Sequence, residues 1–270
     1  MTGAKTIRSL ERGLRVLNVL QEHPISSLQD IYRFTAIPKP TLLRILGTLQ
    51  RAGAISRRLA DGRYRVSSRH FQLGRKPDRY LRVAEAAAPV LDRLCQKVSW
   101  PSDLLVPAGD HMEIRETSRV RTPFSTVFIH DRVGTAVNWP LSAVGRAYLA
   151  HCTDVERDKI LALLRKSDIP ENRLVRDDKR MRQILSETRA RGYATRDPNF
   201  GGGAYTLQAP DGLAGIAVPL QDGRRTHGVI NIVWPRAART VEHMVHNHLP
   251  DLQNAAAEIV GLLRDQGRAR

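Results

Sequence analysis

Arg44 and Arg51 stand seven residues apart, with Lys39, Thr41 and Thr48 around them, in a stretch whose Leu42, Ile45, Leu46 and Leu49 follow the i, i+3, i+4, i+7 spacing of a helix. Such a helix buries one stripe and turns cationic and hydroxyl side chains the other way. Those groups can donate to phosphate oxygens and to base edges in a groove of duplex DNA. A second basic group, Arg57, Arg58, Arg63 and Arg65, brackets Asp61-Gly62. Asp-Gly between short alternating segments predicts a hairpin. Its arginines would meet phosphates, adding affinity and salt dependence rather than base choice.

Bond-making chemistry finds no such support. The sequence holds no Gly-x-Ser-x-Gly elbow, no Walker-type phosphate loop and no His-Glu-x-x-His. Gly201-Gly202-Gly203 opens no strand–turn–helix unit and reads as a flexible loop. His243 and His246 can share a helix face near His248, but no carboxylate or thiol at matching spacing completes a metal set. No pair of carboxylates is singled out for acid/base work. No cofactor, no metal and no enzymatic activity are therefore expected.

The elements that must position these groups can be traced along the chain. Ser9 is expected to cap a first helix carrying the stripe Leu10, Leu14, Leu17 and Leu20, stopped by Pro24. Ser26 or Ser27 caps a short second helix through Leu28, Ile31 and Tyr32. After the turn Ala36-Ile37-Pro38, Pro40 suits the first turn of the third helix, and Gly53 its left-handed stop. The three leucine-rich stripes are assigned to the core. Helix, helix, turn, helix and hairpin make a winged helix-turn-helix over residues 1–77, with the third helix sized for the major groove. Lys76-Pro77 breaks the chain. A linker helix then runs over 78–98, with Leu81, Ala84, Ala88, Leu91 and Cys95 at helical spacing and Pro89 at a kink.

Residues 99–270 predict an α+β domain. Strands are expected at Leu104–Pro107, Met112–Glu116, Ser125–Ile129, Gly215–Leu220 and Gly228–Trp234, the last two joined antiparallel through Asp222-Gly223. Helices are expected at Ser142–His151, Asp154–Leu164, Asp177–Arg191 and Val241–Arg264.

Charge supports this division. Of the 270 residues, 43 are Lys or Arg and 27 Asp or Glu, a net charge of +16. Residues 1–77 hold 15 basic and 4 acidic side chains, so +11 of the excess sits in under a third of the chain. No uncharged stretch exceeds 13 residues, too short for a membrane span of about 20. Charged residues from Arg8 to Arg15 interrupt the apolar N-terminal stretch, so no signal peptide is expected. Two cysteines, Cys95 and Cys152, are too few for a disulfide scaffold and suit a reducing cytoplasm.

Several stretches resemble the IclR family of bacterial transcriptional regulators: Ser9-Leu-Glu-Arg-Gly-Leu-Arg-Val-Leu17, Pro40-Thr-Leu-Leu-Arg-Ile-Leu-Gly-Thr-Leu49, Gly53-Ala-Ile55 and Tyr64-Arg-Val66. The likeness continues through Val133-Gly134, Leu141–Ala150, Arg191-Gly-Tyr193 and Ile216–Leu220, and so covers nearly the whole chain. It implies a winged-helix DNA reader, a linker helix and a GAF-like effector domain. Homodimers or homotetramers on operator DNA, without a membrane, follow from the same likeness. Effector contacts would come from Leu141, Ser142, Ala143 and Gly145 at a helix start, from Gly215, and from Asn231 and Val233 on the last strand. A loop position falls at Arg196 or Asp197. Gly215, Asn231 and Val233 stand where members that bind very small oxo-acids place a cysteine and two serines. That departure implies a roomier, more apolar pocket. Arg196 or Arg115 would pair with a carboxylate, and Trp139 could form an aromatic wall. Trp100-Pro-Ser-Asp103, Ile114-Arg-Glu-Thr117 and His130-Asp-Arg-Val-Gly134 are similar to an activator of aromatic-acid catabolism within the family, pointing to an aromatic acid. Two other readings stay open: an architectural DNA protein with no effector, and an enzyme acting on a small acid.

Overall fold

The computed structural model describes residues 7–67, 79–122, 133–204 and 210–268. The expected helix start at Asp78, the break at Lys76-Pro77 and the expected strand Ser125–Ile129 lie outside them. The chain divides into two units, Met1–Glu85 and Ala86–Arg270.

The first unit holds α1 (Arg8–Glu22), α2 (Leu28–Thr35), α3 (Lys39–Arg51), β1 (Ile55–Arg57) and β2 (Tyr64–Val66). Of the two candidate caps, Ser27 serves α2. Its hydroxyl accepts from the Asp30 amide, and the Asp30 carboxylate accepts from the Ser27 amide, so two otherwise orphaned donors are satisfied. These bonds hold the Asp30 carboxyl below the usual carboxylate range. The antiparallel ribbon β1–β2 pairs Ser56 with Arg65, and Gly62 turns it at a positive φ of 67°.

Two expectations for α1 need correction. Its N-cap is Ile7, with no side-chain cap from Ser9. The buried face is Val16, Val19 and Leu20, whereas Leu10 is 57% and Leu14 51% exposed and Leu17 is half-buried. Both stripes have helical spacing. The contacts made by Ile31, Leu42 and Leu46 of the neighbouring helices decide which one is buried.

The division between units falls within α4 (Arg79–Val98), which contains Pro89. The second unit is built on a six-stranded antiparallel sheet in the order β5-β4-β3-β8-β7-β6. Its strands are β3 (Asp103–Pro107), β4 (Met112–Thr117), β5 (Ala136–Val137), β6 (Ala194–Thr195), β7 (Leu213–Asp222) and β8 (Arg225–Pro235). The helices α5 (Ala143–His151), α6 (Asp154–Arg165), α7 (Asp178–Arg191) and α8 (Val241–Arg268) pack around it. The long hairpin β7–β8 pairs Gly215 with Val233 and Ala217 with Asn231. Buried α5 packs on β7 and β8 and shares a core with Leu105, Ile114 and Ala217. The α8 helix also packs on β7 and is tied to α4 by Lys97–Asp251, 2.6 Å, and by Arg93–Glu258. Cys95 and Cys152 are buried free thiols, the latter pushed up to about 12, first by burial and then by Glu156. No described helix is long and apolar enough to cross a membrane.

Candidate nucleic-acid interface and ligand cavity

In the first unit, α3 carries Lys39, Arg44, Thr48 and Arg51 exposed and Thr41 half-buried. Lys39 Nζ lies 5.8 Å above the Tyr32 ring. The Thr48 hydroxyl donates to the Arg44 carbonyl of its own helix (2.9 Å), so its one proton is directed to the backbone. Thr41, Arg44 and Thr48 also border a groove of about 820 Å³ against the exposed Leu10 and Leu14 of α1, with Arg8 and Arg12 at its rim.

The ribbon arginines divide in a way the sequence did not indicate. Arg57 curls over the turn, donating from Nε to the Gly62 carbonyl (2.8 Å) with its guanidinium 5.7 Å above Tyr64. Arg65 Nε donates to Ser56 Oγ (3.0 Å). Arg58, expected to meet phosphates, is 7% exposed and faces Asp61 at 3.4 Å. It is part of the ribbon's own packing. Arg63, its side chain 49% exposed and 3.8 Å from Asp61, is turned to solvent.

In the second unit, six residues expected at an effector site line one cavity: Ser142, Ala143, Arg196, Gly215, Asn231 and Val233. The cavity is about 40 Å³, the room of a water molecule or so, and its walls include two charged groups not foreseen, Asp103 and Arg119. The cavity is smaller than the roomier pocket expected from the departures at these positions. Three other expected residues lie elsewhere. Arg115 faces away on β4, its side chain 31% exposed and paired with Glu113 at 3.1 Å. Leu141 contributes backbone, donating to Asn138 Oδ1 (3.0 Å) and accepting from Asp197 N (2.8 Å). Gly145 is required by packing, since a Cβ there would stand 2.0 Å from the Trp139 carbonyl oxygen. Trp139 is wholly buried, edge-on to Tyr148, and is core rather than cavity wall.

The cavity's parts are held in place from several sides. Ser142 caps α5 by accepting from the Gly145 amide at 3.0 Å. Buried Arg146 fastens the 195–197 loop to α5 through the Thr195 carbonyl (3.1 Å) and Asp197 Oδ2 (2.8 Å). Arg196 reaches the Phe200 carbonyl (3.1 Å) and Asp211, with its guanidinium 4.6 Å above the Phe200 ring. Gly202 and Gly203, both at positive φ, complete that wall, so the glycine run bounds the cavity.

On the opposite wall Arg119 grips Asp103 in a bidentate pair, Nε to Oδ1 at 2.9 Å and Nη2 to Oδ2 at 2.7 Å. Thr117 donates to Oδ1 (2.6 Å), and Asn231 Oδ1 accepts from the Asp103 amide (2.8 Å). Burial alone pushes the Asp103 carboxyl up. The Arg119 charge and the hydrogen bonds outweigh it and hold the group below its ordinary 3.8. Stability from this pair is therefore present above that value and lost as pH falls through the depressed native pKa. The checking measurement is acid unfolding followed by circular dichroism. Removing both charges, Asp103→Leu with Arg119→Leu, should flatten the acid limb relative to the unmodified protein. An unchanged limb would contradict this assignment.

Among the described residues no cluster of three or more His, Cys, Asp or Glu suits a metal.

Comparison with known proteins agrees with this architecture. The IclR helix-turn-helix domain matches residues 9–58, and the bacterial transcriptional regulator IclR C-terminal domain matches residues 79–260. The chain is 26% identical over 252 residues to the "Probable transcriptional regulator SauR" of Cupriavidus necator, covering 92% of this chain and 94% of that protein. It is 29% identical over 231 residues to the glycerol operon regulatory protein of Streptomyces coelicolor, covering 82% of each. Among solved structures, an IclR homologue from Microbacterium hydrocarbonoxydans complexed with 4-hydroxybenzoate superposes with a TM-score of 0.52 at 25% identity, over 95% of this chain and 99% of that one.

Proposed function

The chain belongs to the IclR family of bacterial transcriptional regulators, and from that premise we propose that it is a homo-oligomer that reads operator DNA through α3 and the ribbon and responds to a small organic acid held in the cavity of its second unit. The observation that carries the acid reading is the cavity itself. Two arginines, Arg196 and Arg119, converge there with Ser142 at the start of α5, inside a buried site. Support for an aromatic acid comes from the related protein complexed with 4-hydroxybenzoate. The segments at Trp100–Asp103 and Ile114–Thr117, similar to the activator of 3-(3-hydroxyphenyl)propionate catabolism, lend further support.

A benzoate ring does not fit into about 40 Å³. In this reading the cavity opens on binding, with the Arg196–Gly203 wall, Phe200 included, moving out. Arg196 then exchanges Asp211 for the ligand carboxylate. Isothermal titration with 4-hydroxybenzoate tests this. Arg196→Ala should weaken binding by roughly 10-fold or more, the worth of a charge-assisted hydrogen bond. Equal affinity for both proteins would remove Arg196 from the site.

On DNA, the mechanism is linkage: an acid that prefers one arrangement of the oligomer shifts the affinity of its DNA-reading heads. Lys39, Thr41, Arg44, Thr48 and Arg51 are assigned to the groove, and Arg57 and Arg63 to the backbone. Arg44→Ala should cost about 1–3 kcal/mol on operator DNA and relax base choice at one position. Arg63→Ala should weaken operator and scrambled DNA alike and reduce the salt slope by about 1. Fluorescence anisotropy across a salt series separates the two. Unchanged operator affinity for Arg44→Ala would displace the reading face from α3.

A further inference from the structure

Behind the Asp103–Arg119 wall, a second group of buried hydrogen bonds, joined to the first through the chain itself, leads away from the cavity to α4. Thr117 Oγ1, which donates to Asp103, accepts from the Arg119 amide at 3.2 Å. The next residue in the chain, Ser118, is fully buried and locked to Ser102, with the two hydroxyl oxygens 3.2 Å apart. Its hydroxyl accepts from the Ser102 amide (2.8 Å) and donates to the Ser102 carbonyl (3.1 Å), and its amide donates to that same carbonyl (2.9 Å). Ser102 Oγ in turn donates to the Leu91 carbonyl of α4 at 3.3 Å. Two further contacts reach α4 and its end: Cys95 Sγ to the Ser118 carbonyl at 3.9 Å, and Thr122 Oγ1 to the Ser99 carbonyl at 3.0 Å. Asp103 and Ser102 are adjacent, as are Arg119 and Ser118, so the ion pair facing the cavity and the seryl clamp facing α4 are two ends of one rigid crosslink.

Resting on the reading of the cavity as an acid site, we propose that the Ser102–Ser118 clamp is the positioning element that transmits the effect of acid binding from the cavity to α4. A carboxylate that bridges Arg196 and Arg119 across the cavity competes with Asp103 for the Arg119 guanidinium. Any shift of Arg119 moves Ser118, and through Ser102 it displaces the α4 backbone at Leu91. The α4 helix also carries the division between the two units, and Pro89 has no N–H to donate to the Glu85 carbonyl at that division. A displacement at Leu91 is therefore delivered next to a turn that lacks one backbone hydrogen bond. The seryl hydroxyls touch no part of the cavity, so their role is separable from binding.

The test uses the full chain, 4-hydroxybenzoate as probe, and Ser118→Ala and Ser102→Ala as variants. Titration gives acid affinity, and anisotropy gives operator affinity with and without acid. In the unmodified protein the acid should change operator affinity by about 5-fold or more, the usual scale of such coupling. Each variant should bind the acid within about threefold of the unmodified protein yet lose most of that change, since coupling and binding are distinct quantities. A folded variant that keeps the full change overturns the proposal, as does one that loses acid binding and coupling together. Failure of the cavity reading looks different. In that case the unmodified protein does not bind the acid, or Ala143→Leu, which fills the cavity, leaves binding intact.

Discussion

Gly145→Ala is expected to unfold the second unit at a markedly lower denaturant concentration. The added Cβ would stand 2.0 Å from the Trp139 carbonyl oxygen and 2.7 Å from the Trp139 carbonyl carbon and Cα. These are backbone atoms of a wholly buried residue and cannot swing aside. Either α5 lifts from Trp139 or the 138–141 turn shifts, and each strains the Ser142 hydroxyl, which donates to the Asn138 carbonyl and accepts from the Gly145 amide. Overpacking of an ordinary core site costs about 1–3 kcal/mol. With backbone as the obstacle, the cost here is expected at or above the top of that range. Urea unfolding monitored by tryptophan fluorescence reads it directly, because Trp139 and Trp234 are both buried in this unit. A midpoint equal to that of the unmodified protein would show that the α5 approach is wrong.

Arg119→Ala should be comparably severe for a different reason. It leaves the Asp103 carboxylate fully buried and without its counter-charge, which costs about 3–5 kcal/mol. The variant also reverses the pH dependence at this site. With Arg119 present, the Asp103 carboxyl lies below its ordinary value, and acidification removes stability. Without it, burial dominates and the carboxyl rises, so protonation relieves the strain and acidification narrows the gap between variant and unmodified protein. Removing both charges with Asp103→Leu and Arg119→Leu should recover most of the loss, since an apolar pair of similar volume often replaces a buried ion pair at little cost. Denaturant midpoints at pH 7 and pH 5 for the three proteins decide it. A gap that widens on acidification would contradict the account.

These two sites also show where sequence reasoning stops. The Asp61-Gly62 turn and the β7–β8 hairpin rest on residues a few positions apart, and local chemistry was enough to place them, whereas the choice of Ser27 over Ser26 as the α2 cap needed the Asp30 carboxylate in place. The expected α1 stripe Leu10, Leu14, Leu17 and Leu20 holds at its C-terminal end, where Leu20 is buried and Leu17 packs on the core, and fails at Leu10 and Leu14 because Val16 and Val19 offer equally good helical spacing. Only the packing of α2 and α3 separates them. The strands β5 and β6 are two residues each, too short for alternation to register. Arg115 was legible in hindsight: β4 places Ile114 on the cavity side, so period two sends Arg115 to the other. Arg119 carried no such signal. It sits in a 3-10 turn, Arg119–Arg121, and meets Asp103 through a strand pairing, Asp103 opposite Thr117, that composition and spacing do not reveal. Arg58 shows the same limit in the ribbon, where four arginines look alike in sequence and differ in burial.

In this protein, sequence-specific DNA reading is coupled to an acid held in the second unit of the same chain. Fluorescence anisotropy at one fixed salt tests it most directly, using DNA from upstream of its own gene, the same DNA scrambled, and each with and without 4-hydroxybenzoate. The account predicts a preference of about a thousandfold for the upstream DNA and a change in that affinity when the acid is added. Equal binding to both DNAs, unaltered by the acid, would contradict it.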